Sequence, residues 1–167
     1  MRRRFSPRSQ VRAAMAAVDD LIPTPWDLCV LIGCLADRRR RPIRLEAVPF
    51  PKGKVSGLWL PSSQKDLILY DQAASPTLKE QIIGHELGHL LMNHQLTDQD
   101  GAVPVAGALL TASIGPDLVR RFLARTVYDD QIEAAAEEFG TRLLQAARRR
   151  RPGRSPDPLG RLTDSLR

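Results

Sequence analysis

The sequence predicts a single α+β domain: N-terminal helices, a small, mainly antiparallel three-stranded sheet, then one helix carrying histidines and a last helix carrying glutamates. Three observations predict it. Apolar residues recur at helical spacing up to about residue 41, fall into short strand-like runs between 43 and 70, and return to helical spacing from Ser75. All three histidines of the chain lie within thirteen residues, 82–94, which read IIGHELGHLLMNH. A length of 167 residues gives one domain a real core and is too short for two ordinary domains.

In residues 10–22, Val11, Met15, Val18 and Leu21 or Ile22 form one helical stripe. Thr24-Pro25 offers an N-cap and a first-turn proline to a second helix, with Asp27 at the capping-box position. Leu28, Leu31, Ile32 and Leu35 give that helix its apolar face, the arginines at 38–41 suit the negative end of its dipole, and Pro42 closes it. Residues 43–50, 55–60 and 67–70 read as strands, with PFPKGK and PSSQKD as turns. Ser75-Pro76-Thr77 opens the central helix, Thr77 and Glu80 form a capping box, and the helix is expected to run to about His94. Residues 95–115, low in charge, read as a long loop with a short helix at 107–110, and 116–125 as a further short helix. The last helix is expected from Asp129 or Asp130 to about Arg150, with Ile132, Ala136, Phe139, Leu143 and Ala147 as its stripe. The domain is expected to span 1–150, and the Pro- and Arg-rich tail 151–167 to be disordered.

The formal net charge of +6 comes largely from arginine runs at 2–4, 38–41 and 148–151. No aromatic residues interleave with them, so they read as solvated tails and helix ends, and direct nucleic-acid binding is not expected. No apolar run approaches the length of a membrane span, which excludes a helical membrane protein. The basic start MRRRFSPRSQ is not followed by an apolar segment with a small-residue cleavage site, and the expectation is a cytoplasmic protein. Cys29 and Cys34 stand five apart on a helix and point about 140° from each other, which reads as two buried, reduced thiols.

His85-Glu86-Leu87-Gly88-His89 is an H-E-x-x-H motif. On a helix His85 and His89 share a face and can reach one metal ion, while Glu86 beside them can touch a water at the metal without binding the metal itself. That combination suits a zinc peptidase: zinc activates the water, and Glu86, as general base, takes its proton and passes it to the leaving nitrogen. His94 would lie about 180° from His85 and 140° from His89 on a continuous helix, and is expected to point away. The third ligand is sought among Glu133, Glu137 and Glu138. Measured from the centre of the last helix's apolar stripe, Glu133 lies about 90° away and the other two about 130°. Glu133 is therefore the candidate ligand, and Glu137 a candidate partner for the second nitrogen of a ligand histidine. Gly84 and Gly88 suggest that a strand or the last helix packs closely on the motif helix. The strand GLWL at 57–60 is expected above it, with an edge that could take a peptide by strand addition and Trp59 as core packing. Tyr128 or Arg120 is a candidate oxyanion stabiliser.

With HELGHLL and EAAAEEFGTRLL on the page, the chain resembles the ImmA/IrrE family of zinc metallopeptidases over roughly residues 21–148. The family's second motif reads E-x-E-A-[ND]-x-F-A-x-x-L-L. Glu133, Ala136, Glu137, Phe139, Leu143 and Leu144 match or nearly match it, Ala135 replaces its second glutamate, and Gly140 stands where alanine is usual. The resemblance implies a zincin-like domain and a zinc-dependent endopeptidase, with metal ligands His85, His89 and Glu133. It also implies a role in transcription regulation, with a separately encoded helix-turn-helix repressor as substrate and partner. A reading from another class keeps the zinc-site fold but lets the protein act by binding, as an antirepressor.

Overall fold

Ser6 starts the first helix, α1 (Pro7–Val18): its hydroxyl accepts from the Ser9 N–H, and Pro7 takes the first turn, where no N–H is needed. The computed structural model describes residues 6–50, 53, 55–62, 64–94 and 129–150. The arginines at 2–4, the loop and short helices expected between 95 and 125, Arg120, Tyr128 and the tail lie outside them. After a 3-10 turn (Asp19–Leu21) comes α2 (Leu28–Arg39). Its cap is Asp27 rather than Thr24: the Asp27 carboxylate accepts from the N–H groups of Cys29 and Val30 at 2.8 and 3.1 Å. A carboxylate both satisfies these donors and suits the positive end of the helix dipole. Leu28, Leu31, Ile32 and Leu35 are buried, and positions 29 and 34 fall off that stripe. Cys29 and Cys34 are unbonded, as expected, but exposed, which corrects the expectation of buried thiols.

The strands are β1 (Ile43–Val48), β2 (Gly57–Pro61) and β3 (Asp66–Asp71), in the order β1-β3-β2. β2 and β3 form an antiparallel pair, but β1 and β3 run parallel. The sheet is thus mixed rather than mainly antiparallel. β1 and β2 do not pair with each other, and β3 returns between them, antiparallel to its hairpin partner and so parallel to the far strand. The central strand buries Leu67, Ile68 and Leu69 in succession.

Asp66 is 1% exposed, and a carboxylate so deep needs partners. One oxygen accepts from Trp59 Nε1 at 3.1 Å, the other from Arg39 at 2.6 Å and Arg41 at 2.9 Å. Arg41 also donates to the carbonyls of Ser62 and Lys65, closing the β2–β3 turn. Arg38 pairs with Asp20. Much of this arginine run therefore ties elements together rather than simply standing in solvent.

α3 (Pro76–Met92) is capped by Ser75, whose hydroxyl accepts from the Leu78 N–H at 3.3 Å. Glu80, expected in a capping box, instead accepts from Trp26 Nε1 at 3.2 Å. α3 stops at Asn93, which adopts the left-handed conformation (φ 56°). The last described helix, α4 (Asp130–Arg149), is capped by Asp129. α3 and α4 are antiparallel and very close. A Cβ on Gly88 would lie 3.1 Å from the Ala136 backbone, and one on Gly140 would lie 3.1 Å from the His85 nitrogen. Between these helices, α1, α2 and the sheet sits one core, with Val11, Leu31, Trp59, Ile68, Leu87 and Phe139 fully buried. No described helix is long and apolar enough to cross a membrane.

Candidate metal centre

Because α3 is a regular helix through the motif, His85 and His89 stand one turn apart on one face. The glycine contacts let α4 approach until Glu133 faces both. His85 Nε2 is 3.0 Å from His89 Nε2 and 3.3 Å from one oxygen of Glu133, and His89 Nε2 is 3.4 Å from the other. The three residues form a group that could hold a metal ion. Burial opposes the charge on Glu133, but hydrogen bonds to His85 and His89 outweigh it and hold the carboxyl at about 2. It is therefore a carboxylate at neutral pH. His89 is lowered, chiefly by burial, and is neutral there, as a metal-binding imidazole must be.

The structure places the other acids distinctly. Glu137 approaches the far nitrogen of His85, with its oxygen 3.5 Å from Nδ1. Glu138 pairs with Arg142 at 2.5 Å. Ala135, at the position where the resembled pattern has a second glutamate, is 2% exposed and packs in the core.

His94 does not point away. The left-handed turn at Asn93 ends the helix and folds the next residue back, with the His94 N–H donating to the His89 carbonyl at 2.9 Å. The His94 ring is 7% exposed, with Nδ1 3.3 Å from His89 Nδ1. Burial, then the neighbouring His89, push it down to about 4. A neutral His94 can accept from a proton on His89 Nδ1, the tautomer that would free His89 Nε2 for a metal ion. The expectation failed because it assumed an unbroken helix; an Asn just after the last periodic residue was the available stop signal.

Glu86 is 5% exposed. Burial pushes its carboxyl up to about 7, against the lowering influence of His85 and a backbone hydrogen bond from Trp59. β2 lies directly over it. A Cβ at Gly57 would sit 2.5 Å from Ile82 Cγ2 and 2.8 Å from Glu86 Oε1, so the close approach requires glycine. Sequence reasoning placed the strand above the helix and missed this contact. Hydrogen bonds from Asp71 N to Ser56 O and from Ser62 N to Lys65 O, both 2.9 Å, set the phase of the β2–β3 ladder. By that alternation Gly57 and Trp59 direct their backbone groups to the edge away from β3. A cleft of about 720 Å³ opens there; His85, Glu86, His89 and Glu133 line it beside Gly57.

A paired histidine helix, a carboxylate from a later helix and an acid under an edge strand define a zincin-like metallopeptidase type of site on an α+β domain. The comparison with known families agrees. Residues 38–107 match the family model of the IrrE N-terminal-like domain (Peptidase_M78), which supports assignment of the chain to the ImmA/IrrE family. The match includes β1 to β3 and His85, Glu86 and His89 but ends before Glu133, so the acid is located by the fold alone. No curated protein and no solved structure matches the chain.

Proposed function

We propose that the protein is a zinc-dependent endopeptidase that hydrolyses a peptide bond in a protein substrate, with a separately encoded helix-turn-helix repressor as that substrate. The observation that carries the peptidase reading is the convergence of His85, His89 and Glu133 with the buried Glu86 beside them. The donor set suits zinc. A tetrahedral ion with bonds of about 2.0–2.1 Å keeps its ligand atoms roughly 3.3–3.4 Å apart. The separations here are 3.0, 3.3 and 3.4 Å.

A bound zinc ion would polarise the scissile carbonyl and lower the pKa of the attacking water. Glu86 lies beside His85 with its carboxylate free of ion pairs among the described residues, and takes the water's proton as attack occurs. It then gives that proton to the departing nitrogen. Glu137, against His85 Nδ1, and His94, against His89 Nδ1, hold the two rings in the orientation that turns their Nε2 atoms together.

The test uses the purified zinc-loaded protein and a candidate repressor, with cleavage followed by mass spectrometry. Glu86→Gln is expected to keep one zinc per chain and lose cleavage by about 10²–10⁴-fold. His85→Ala and Glu133→Ala are expected to lose the zinc. A Glu86→Gln protein that relieves repression in full would replace the enzyme by the antirepressor reading. That alternative drew on the missing acid at 135, and Ala135 faces the core rather than the cleft.

A further inference from the structure

We infer that the cleft selects its peptide by an apolar shelf followed by a cation: a large apolar residue three or four positions from the scissile bond and an acidic residue about five positions away on the same side. The inference rests on the peptidase reading and adds a substrate class to it. Two helix stripes form the cleft beyond the metal ligands. On α3 it runs from His85 back through Ile82 to Leu78, and on α4 from Glu137 through Leu144 to Arg148. Leu78 is 44% exposed and Val55, also on the cleft lining, 45%. Large apolar side chains left open inside a cleft continuous with a reaction centre are surface that an occupant can cover.

The spacing follows from the helix register. Gly84 meets Gly140 and Gly88 meets Ala136, so Leu144 lies level with residue 80 and Arg148 level with residue 76. At about 1.5 Å per residue, measured from midway between His85 and His89, the Leu78–Leu144 shelf is roughly 10–14 Å away and Arg148 roughly 16 Å. An extended peptide advances about 3.3 Å per residue, which gives three to four residues and about five. Extended is the form the wall accepts, because Gly57 turns both its N–H and its C=O to the edge of β2, while the Trp59 N–H on that edge is held by Glu86. The charge fixes the polarity. Glu133 and Glu137 stand at the metal end and Arg148 at the other. Among the described residues Arg148 is the one arginine that lines the cleft, and it makes no ion pair.

The experiment is a randomised decapeptide library read two ways: as products cut by zinc-loaded wild type, and as intact peptides retained by immobilised zinc-loaded Glu86→Gln protein. Wild type is expected to enrich Asp or Glu about five positions from the cut and Leu, Met or Phe three or four positions from it. Arg148→Glu is expected to remove the acidic preference, a change of about fivefold, and favour Lys or Arg there. Leu78→Ser is expected to flatten the apolar preference by about five- to tenfold. Both positions are solvent-facing, and unchanged melting temperatures will show that the fold is kept. Cleavage with the same profile in wild type and Arg148→Glu overturns the inference and leaves the peptidase reading standing. Arg148-dependent retention without any cleavage overturns the peptidase reading and leaves the selectivity standing. Retention of a single-stranded oligonucleotide in place of the acidic peptides, lost in Arg148→Glu, also overturns the inference.

Discussion

Replacing Glu86 by glutamine should make the metal-free protein more stable, and the gain should grow with pH. Burial raises the Glu86 carboxyl from 4.5 to about 7 in the folded chain. Unfolding returns it to water and to its ordinary value. Between those two pH values the folded protein holds a proton that the unfolded chain has released, so rising pH favours unfolding across that window and has no further effect above it. The separation is about 2.5 pH units, and each unit is worth about 1.4 kcal/mol, so the full penalty at pH 8 is about 3 kcal/mol. Glutamine fills the same space, keeps an acceptor for the Trp59 N–H and does not titrate. The assay is urea unfolding of both proteins with a chelator present, at pH 5 and pH 8. The stability difference should be about 3 kcal/mol more favourable to Glu86→Gln at pH 8 than at the limit of low pH, with about half a unit of that window already crossed at pH 5. Equal differences at the two pH values would refute the claim that the carboxylate is charged at a cost in the empty site.

Gly57→Ala should fold with some loss of stability, because a Cβ there meets the stiff Ile82 side chain at 2.5 Å and the movable Glu86 carboxylate at 2.8 Å rather than backbone. Pushing the carboxylate aside by about 1 Å should lower kcat by about 10–100-fold with KM little changed, which steady-state kinetics will read. His94→Ala should weaken metal binding by about 10–100-fold in competition with a chromogenic chelator, since it removes the group against His89 Nδ1. Unchanged affinity would mean that His89 does not depend on that contact.

The part of this fold most legible in the sequence was the part governed by local periodicity. The helix and strand segments, the H-E-x-x-H face and the closeness implied by Gly84 and Gly88 all follow from spacing. What was lost depended on where the chain turns. Asn93 ends α3 one residue before a uniform 100° rotation would have carried His94 to the opposite side, and the left-handed turn brings its ring to His89. Asp27 outcompeted Thr24 as a cap. The parallel β1–β3 pairing depends on which strand fills the middle of the sheet, a choice made by tertiary packing and not by alternation within any one strand. Gly57 reads in the sequence as a weak strand residue, and its reason lies on another element, in the carboxylate beneath it.

The acid on α4 shows how one helix can serve a core and a site at once. Positions 133 and 137 differ by about 40° around the axis, so both reach the histidine face, whereas 133 and 135 differ by about 200°. With Glu133 at the histidines, residue 135 must turn into the packed interior, and it does so as a 2% exposed alanine. A glutamate there would bury a charge with no partner in sight, a cost of several kcal/mol. The departure from the resembled pattern thus belongs to the packing of α4. The same small residues that let α4 lie against α3, Ala136 and Gly140 opposite Gly88 and Gly84, are what bring Glu133 within reach. Enlarging Gly88 or Gly140, where a Cβ would lie 3.1 Å from the facing backbone, would separate the carboxylate from the imidazoles before it disturbed either half of the site by itself.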